Sequence, residues 1–517
     1  MRYIYGFVLI FTILLWSSCR NDFESVPSSG NLEFSQDTIF LDTIFTNVGS
    51  STRTLKVYNR SSEDINIPNI QLSGGESSSY RLNVDGIPGK IFQDINILAN
   101  DSIFVFIETT IDIDNFPNPD NSYLYEDRIV FDSGTNTQDV NLITLVKDAV
   151  FLFPEQSSDG TVETLNLGTE EEPILIEGFY LNDNQLNFTN EKPYVIYGYA
   201  AVAPNETLTV EPGARIHFHR DSGILVANTA SMKSIGLASS DLELMENQII
   251  FEGDRLEPSF ADVPGQWGTI WLTAGSTNHE FSYTTIKNSI VGILMDSNDG
   301  DRTLTLKNVE IYNTSNIGLL ARTGDIYGEN LIINNSGQSS LSCSLGGKYN
   351  FIHSTFVNYW TNNFRIFPAV SIDNVLQIGE NEFITSDLIE ANFTNCIVYG
   401  NEARELIFTQ SQEAAFNFNF KNSLIRFDDP NGNFEDDLNY NFLNESLYLN
   451  IVRNQNPSFL NTTLNDFNIE TEVSGADGIG DPSDALTVPL DGNGTSRNVS
   501  APDAGAYESI IYPDEGT

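Results

Sequence analysis

Residues 32–150 alternate apolar and polar side chains in short runs, and clusters of Gly, Asn, Asp and Ser separate those runs. Successive side chains of a β-strand point to opposite faces of a sheet, so the alternation indicates strands with one buried face. Short strands divided by turn residues are typical of an antiparallel β-sandwich, which we predict here. The clearest runs lie at residues 55–58, 65–67, 103–107, 128–131 and 140–143.

A different pattern follows a predicted linker at 151–161, where Pro and a Ser/Asp/Gly cluster interrupt the strands. An apolar-x-Asn motif ends at Asn288, Asn313, Asn335 and Asn358, which are 25, 22 and 23 residues apart. Repeats of this length that consist of short β runs are typical of a solenoid. We predict a parallel β-helix over 162–450, in which equivalent strands pair from one circuit to the next. The four asparagines would stack as a structural ladder.

Two motifs stand near the C-terminus. Asp491, Gly494 and Arg497 fit the pattern D-x-x-G-x-x-R, and residues 502–508 are Pro-Asp-Ala-Gly-Ala-Tyr-Glu. Together they resemble the closing block of bacterial right-handed β-helix repeat lipoproteins of the choice-of-anchor type. The chain departs from that family at 474–477, where Ser-Gly-Ala-Asp replaces Ser-Pro-Ala-Ile-Asp. The resemblance implies an all-β chain with a right-handed, single-stranded, pectin-lyase-like parallel β-helix and a closing block at 451–510.

A solenoid end exposes unpaired strand edges, so we expect this block to act as a cap. A ligand site in the block is the alternative. The sandwich at 32–150 in turn resembles the immunoglobulin-like modules that precede other domains in bacterial surface lipoproteins. The expected cap residues are Asp491, Gly494, Arg497, Asp503, Gly505 and Tyr507.

The N-terminus has the pattern of a secretory signal over residues 1–19, with a basic residue, an apolar run, two serines and Cys19. The end of this segment resembles a bacterial lipobox, with Trp16 where leucine is usual, and this implies lipidation of Cys19. Residues 20–31 would form a flexible tether. We therefore predict a lipid-anchored protein of the outer membrane or cell surface, in contact with the membrane through its anchor. Cleavage near Ser18 without lipidation is the alternative.

Charge narrows the range of partners. The 517 residues include 71 acidic and 25 basic side chains, a net charge of −46. Such a surface repels nucleic acid and anionic lipid and disfavours polyanionic glycans, so we expect no nucleic-acid partner. Cys343 and Cys396 lie about two circuits apart, too far for a disulfide, and we predict two reduced thiols in the core.

Three segments carry candidate metal ligands, and Ca²⁺ is the ion that the acidic ones would suit. A strand ending in Arg-Ile-His-Phe-His would place His217 and His219 on its outer face near Asp221; an ordinary solvated surface is the alternative. Two acidic loops offer alternating carboxylate and amide oxygens, and solvated turns are the alternative for both. The loop candidates are Asp296, Asn298, Asp299 and Asp301, and Asp428, Asp429 and Asn431.

Trp267 and Trp271 have the same strand parity and could form a flat platform for a sugar ring, with packing at a turn as the alternative. The outward column of the repeat contains Lys287, Tyr312, Asn334 and Val357 and offers no catalytic constellation. Motifs of pectate lyases and polygalacturonases are absent from the sequence. We therefore expect a non-catalytic lipoprotein that presents a binding face for an extracellular glycan, a surface protein or Ca²⁺. A polysaccharide lyase or glycoside hydrolase acting on an extracellular polysaccharide is the alternative, and a structural spacer is a third.

Overall fold

The structure is a computed structural model that describes residues 25–117, 121–241, 243–296 and 302–512. Strands account for 47% of the residues and helical segments for 5%, so the protein is all-β, as predicted. The chain divides into two compact units, with the division between Asp148 and Ala149. Cys19 and the predicted signal peptide lie outside the described residues.

Unit 1 contains eleven strands within its described residues, 25–117 and 121–148. Its 3₁₀ turns are Gly75–Ser77, Ile113–Asn115 and Gly134–Asn136. The strands are β1 (Val26–Pro27), β2 (Glu33–Phe34), β3 (Thr38–Phe45), β4 (Arg53–Tyr58), β5 (Ile65–Leu72), β6 (Tyr80–Val84), β7 (Ile87–Gly89), β8 (Ile91–Ile97), β9 (Ser102–Thr109), β10 (Ser122–Phe131) and β11 (Gln138–Lys147).

These strands form two sheets that share one core. The first has the order β1-β5-β10-β11-β3, with β8 also paired to β5, and the second has the order β2-β4-β9-β6-β7. Pairing is mainly antiparallel, but β3 runs parallel to β11. Alternate residues of both sheets, such as Val57 and Val105 from one and Ile129 and Leu142 from the other, meet in one buried cluster. This packing uses the period-two pattern of the sequence.

Part of the predicted tether belongs to unit 1. Within residues 20–31, β1 pairs in parallel with β5, and the Ser28 hydroxyl donates to Asp132 at 2.6 Å. Asp132 is 3% exposed, so it needs a hydrogen-bond donor inside the unit. The prediction of a flexible segment is therefore wrong for residues 26–28.

The strands of unit 2 are short, and its helical segments are α1 (Pro482–Ala485) and the 3₁₀ turns Asp183–Gln185, Pro258–Phe260 and Leu438–Tyr440. The strands are β12 (Val150–Leu152), β13 (Thr164–Asn166), β14 (Leu175–Tyr180), β15 (Asn187–Phe188), β16 (Tyr194–Ile196), β17 (Tyr199–Val202), β18 (Thr207–Val210), β19 (Arg215–Phe218), β20 (Gly223–Val226), β21 (Ser231–Ile235), β22 (Ile249–Gly253), β23 (Ile270–Leu272), β24 (His279–Lys287), β25 (Val291–Met295), β26 (Arg302–Thr314), β27 (Ile317–Arg322), β28 (Asp325–Glu329), β29 (Ile332–Ser336), β30 (Leu341–Ser344), β31 (Gly347–Ile352), β32 (Thr355–Asn358), β33 (Val370–Asp373), β34 (Val375–Gln377), β35 (Phe383–Thr385), β36 (Leu388–Thr394), β37 (Ile397–Gly400), β38 (Leu406–Thr409), β39 (Asn419–Lys421), β40 (Leu424–Ile425), β41 (Tyr448–Leu449), β42 (Val452–Arg453), β43 (Phe459–Asn461) and β44 (Asp466–Ile469).

Most strands of unit 2 pair in parallel with a strand one repeat later. Strands β17, β18 and β19 pair with β20, β21 and β22, respectively. In the next repeats β24 and β26 are longer strands, and each takes part in two ladders: its first half pairs in one ladder and its second half pairs in the next. Three parallel ladders result. The segment predicted as a linker begins inside β12, which pairs with β16, so it is not a separate connection.

In-register pairing stacks like residues into buried columns. One column runs through β19, β22, β24, β26, β29 and β32, and each of its members is completely buried. Burying one such side chain contributes about 1.5–3 kcal/mol, so the columns form a continuous core. The members are Ile216, Phe251, Ile286, Ile311, Ile333 and Phe356.

Three of the four predicted ladder asparagines bond to one another. The Asn313 amide donates to Asn288 at 3.3 Å, and the Asn335 amide donates to Asn313 at 2.7 Å. These three have φ between 55° and 66°. Asn358 instead lies within β32 and bonds to the backbone of Ser336 in both directions. Its place in the predicted ladder is wrong because its backbone stays extended where the other three turn.

A second column occupies the turn between the first and second strands of each repeat, for example between β28 and β29. Asn308, Asn330, Asn395 and Asn422 have φ from 49° to 54°, a backbone region that asparagine tolerates better than most residues. His353 holds the equivalent position with φ of 48°. Its Nε2 lies 2.9 Å from the Asn395 amide nitrogen, and burial lowers its pKa to about 2.

We expect His353→Asn to make the protein less sensitive to acid. The folded pKa of His353 lies below the unfolded value of about 6.5, so the unfolded chain takes up the proton first as the pH falls, and stability is lost. The substitution should remove about 2 kcal/mol of the stability lost between about pH 7 and pH 5. Urea unfolding at the two pH values measures this, and an unchanged pH dependence would contradict it.

Aromatic residues from 428–447 pack against the core at the last repeats, where β41 and β42 add a final strand to two of the ladders. Phe434, Tyr440 and Phe442 pack against Phe427, which follows β40. The Tyr440 hydroxyl also accepts a hydrogen bond from the backbone N–H of Phe408, in the last strand of its sheet, at 2.8 Å. This segment, rather than the C-terminal block, covers the final core residues.

Candidate binding cleft

The C-terminal block lies along the outer face of one ladder. The Tyr507 hydroxyl donates to Glu310 in β26 at 3.0 Å, and the backbone N–H of Ala506 donates to the Thr355 hydroxyl in β32 at 3.0 Å. The N–H of Gly505 donates to the Asn395 carbonyl at 2.8 Å. These contacts span several successive repeats, so the block covers a flank of the ladder. The prediction that it caps the end of the solenoid is therefore wrong.

Arg497 holds the block in place. It is 4% exposed, and it donates to Glu508 at 3.1 Å and to the Asn330 side chain at 2.7 Å. It also donates to the Gly505 and Ala506 carbonyls. Burial lowers the pKa of Arg497, and the neighbouring carboxylates oppose that shift. The Arg497 side chain therefore links the block to the asparagine column of the ladder.

The other predicted cap residues shape the block internally. Asp491 accepts from the backbone N–H groups of three residues, and Asp503 accepts from two; burial raises the pKa of Asp503 to about 6. Gly494 has φ of 81°, in a turn. Gly505 has φ of 99°, and a Cβ there would lie 2.6 Å from Ile397. Only glycine fits where the block passes so close to the ladder.

A cleft of about 360 Å³ lies between this block and the ladder face formed by β22, β24 and β26. Its floor is formed by Thr285, Glu310 and Tyr312. One wall comes from the segment around β22 and includes Gln248 and Asp262. The other wall comes from the block and includes Asn465, Asp466, Asn493 and Tyr507. Amide, hydroxyl and carboxylate groups thus face one space.

Thr285 is 5% exposed, and its hydroxyl oxygen has no hydrogen-bond partner. Beside it, burial raises the pKa of Glu310, against the effect of the Tyr507 and Tyr312 hydroxyls. Burial also raises the pKa values of Tyr312 and Tyr507 well above the ordinary value of a tyrosine, so both remain protonated. The floor therefore offers a carboxyl group oriented by two hydroxyls, next to a buried hydroxyl that has no hydrogen-bond partner in the protein.

Lys287, at the edge of the floor, is already paired. Its Nζ lies 2.8 Å from Glu252, whose other oxygen is 3.7 Å from His217. Burial acts to raise the pKa of Glu252, but His217, Lys287 and Arg215 outweigh it and lower the pKa. The positive charge of Lys287 is therefore compensated before any ligand arrives.

The predicted histidine metal site is not formed. His217 is 5% exposed with its Nδ1 3.2 Å from the Gly253 carbonyl, whereas His219 pairs with Asp254 at 2.7 Å. Asp221 is exposed and pairs with Arg220. Among the described residues no three His, Cys, Asp or Glu side chains lie together in a way that could hold a metal ion. The outer face at His217 is covered by the next strand's Glu252, which strand parity alone does not show.

The acidic loops have other roles where they are described. Asp296 accepts from the Trp271 indole at 2.8 Å and pairs with Arg322 at 2.6 Å. Asn298, Asp299 and Asp301 lie outside the described residues. In the second loop Asp429 accepts from the Phe434 N–H at 2.8 Å and thereby shapes the aromatic closure. The neighbouring Asp428 and Asn431 are exposed.

The two tryptophans do not form a platform. Trp267 is fully buried, stacks on Phe218 at 4.2 Å between ring centroids, and donates to the Lys287 carbonyl at 2.9 Å. Trp271 is only partly buried and points outward from β23. Trp267 precedes that strand and forms a separate bridge with Ser289, so the expected strand parity does not extend to it.

A second groove, of about 490 Å³, lies on unit 1 beside Asp127 and Arg128 of β10. Asp127 accepts from the Gly74 N–H at 3.1 Å, and Arg128 pairs with Asp139 at 3.6 Å. These charged groups are used within the sandwich. The cleft of unit 2, with its unpartnered buried hydroxyl, is the better candidate despite its smaller volume.

Sequence reasoning missed Thr285, Glu310 and Asp466. Thr285 and Glu310 are neighbouring members of one outward column, which register alone would have found. Asp466 comes from a segment 156 residues after Glu310 (466 − 310) and carries no local signal. In the part of the chain that is described, no helix has the length and apolar character needed to cross a bilayer.

No protein-family model and no curated protein matches the chain. Among solved structures, a family 123 glycoside hydrolase from Clostridium perfringens matches 23% of this chain and 26% of its own, at 12% identity and a TM-score of 0.16. The E. coli chaperone DraB matches 24% of this chain and 58% of its own, at 12% identity and a TM-score of 0.16. This chain therefore spans less than two thirds of either structure, and similarity at this level supports no conclusion about function.

Proposed function

We propose that this protein binds a glycan in the cleft between its C-terminal block and the face of β22, β24 and β26. The observation that carries the proposal is the buried, unpartnered hydroxyl of Thr285 on the cleft floor. Sugar hydroxyls donate and accept hydrogen bonds, and the carboxylates and amides around Thr285 supply both kinds of partner.

We also propose that the protein is anchored to the outer membrane or cell surface through a lipid on Cys19. We propose that unit 2 is a right-handed, pectin-lyase-like parallel β-helix of the choice-of-anchor type, and that unit 1 is an immunoglobulin-like module. Three successive strands per repeat, paired in parallel, support the first part. Two sheets around a common core support the second. The signal-like residues 1–19 support the anchor.

We expect Thr285→Val to weaken glycan binding by about fivefold to tenfold, the value of one neutral hydrogen bond of about 1–1.5 kcal/mol. Folding should be unaffected or slightly improved, because an unpartnered buried hydroxyl is replaced by a methyl group of similar shape. A glycan array identifies the ligand, and calorimetry measures the affinity of each variant.

Thr305→Val is the matched control, since Thr305 lies on β26 in the half that pairs with the other ladder, next to Glu280 and Tyr327. An unchanged affinity in Thr285→Val, or an equal loss in Thr305→Val, would refute the assignment of the cleft.

A glycan-cleaving enzyme is the second candidate, because the cleft holds Glu310, whose pKa is raised by burial, together with Asp466. Glycoside hydrolysis uses one protonated and one ionised carboxyl group. The same glycan hits decide between the two: new reducing ends would favour the enzyme, and intact bound glycan would favour the binding protein.

A further inference from the structure

Acidic side chains outnumber basic ones around the cleft. Asp262, Glu310 and Asp466 all line it, whereas Lys287 is the cation among its described lining residues. Since Lys287 already pairs with Glu252 at 2.8 Å, its charge does not offset the three acids. The cleft is therefore anionic within a chain whose net charge is −46.

The acids are held in fixed orientations by neutral groups. Glu310 accepts from the Tyr507 hydroxyl at 3.0 Å, and Asp466 accepts from the backbone and side-chain nitrogens of Asn468 at 3.1 and 2.7 Å. Asp262 accepts from the Asn313 amide at 3.2 Å. None of these donors carries a positive charge, and burial raises the pKa of Glu310, so a cationic ligand is the kind that would favour the ionised form of this carboxyl.

A bare metal ion fits this arrangement poorly. The described chain brings no three acidic, cysteine or histidine side chains together closely enough to hold one. An organic ammonium group suits it better, because its three N–H donors can reach separate acceptors and its sugar hydroxyls can meet Thr285 and the amides of Gln248 and Asn493.

From this juxtaposition we infer that the cleft selects a saccharide carrying a protonated amine, an amino sugar that is not N-acetylated. The inference rests on the proposed function and specifies its ligand class. Uronic-acid chains are excluded because their carboxylates would face Glu310 and Asp466 across a partly dehydrated space, where like charges repel strongly.

The test compares three probes on the full chain: short oligomers of glucosamine, of N-acetylglucosamine and of galacturonic acid. At about pH 6 the glucosamine amines are largely protonated, whereas most exposed carboxylates are ionised. We expect the glucosamine oligomer to bind at least about tenfold more tightly than its N-acetylated form, which is a coupling of about 1.4 kcal/mol. The galacturonate oligomer should not bind.

Variants distinguish binding in the cleft from nonspecific attraction of a cationic glycan to an acidic protein. Glu310→Gln and Asp466→Asn should each reduce the preference for the amine by about fivefold, while affinity for the N-acetylated oligomer changes less than about twofold. Glu280→Gln is the control, since Glu280 lies on β24 outside the cleft and faces Lys233 at 3.7 Å. That variant should keep the full preference.

The outcomes are distinct. Equal affinity for the two glucosamine forms, tighter binding of galacturonate, or an equal effect of Glu280→Gln would overturn the inference. If a neutral glycan then still binds and depends on Thr285, the proposed function stands without it. If no saccharide of any charge binds, the proposed function fails as well.

Discussion

Arg497→Met is expected to destabilise the C-terminal block by about 3–5 kcal/mol, because removing one partner of a buried ion pair leaves the other charge uncompensated. Glu508 would lose its partner, and Asn330, Gly505 and Ala506 would each lose a hydrogen bond. Since the block forms one wall of the cleft, glycan binding should be lost at the same time.

Limited proteolysis and urea unfolding measure the first effect, and calorimetry measures the second. Cleavage should move to residues 456–512 while the ladders stay resistant, because their core is built from residues 150–451. Arg220→Met is the control: its side chain is 83% exposed and pairs with an exposed aspartate, so it should change stability by less than about 1 kcal/mol. A similarly small effect of Arg497→Met would show that the block is held by other contacts.

Trp267→Ala is expected to cost about 3–5 kcal/mol, the usual range for removing a buried aromatic side chain. The substitution would leave a cavity beside Phe218 and remove the hydrogen bond to the Lys287 carbonyl. Because Lys287 lies at the cleft, a smaller loss of ligand affinity should accompany the loss of stability.

Trp271→Ala provides the comparison, since Trp271 is partly exposed and points away from the core. It should cost less than about 2 kcal/mol. Thermal unfolding of both variants is the measurement. If Trp267→Ala kept its stability and lost only glycan binding, the sugar platform predicted from the sequence would be right after all, and burial of Trp267 would be refuted.

The repeat was predictable because its signals are local and recur. Period-two alternation marks a strand whatever surrounds it, and spacings of 22–25 residues between asparagines follow from the length of one repeat. Asn288, Asn313 and Asn335 therefore meet as expected. Asn358 does not, because a longer connection follows β32, where the buried Arg365 pairs with Glu405 at 2.7 Å and the chain stays extended.

The histidine and tryptophan predictions failed for a related reason. Strand parity assigns a side chain to a face but does not show what the neighbouring strand places beside it. Glu252 covers His217 because β22 lies in register with β19. Trp267 lies before β23, at a separate bridge to Ser289, so it enters the core rather than sharing a face with Trp271. The first outcome depends on the register of neighbouring strands, and the second depends on where β23 begins, which sequence patterns locate poorly.

By itself, the amino-acid sequence determined the all-β class, the repeat and the positions where asparagine turns the chain, since each depends on residues close together or on one repeated distance. Only the tertiary structure decided that the C-terminal block lies on a flank and encloses a cleft. That cleft joins Glu310 to Tyr507, 197 residues away, through a docking that buries Arg497 against Asn330. Contacts of this kind arise from the burial of unlike segments against each other, and no periodicity in the chain encodes them.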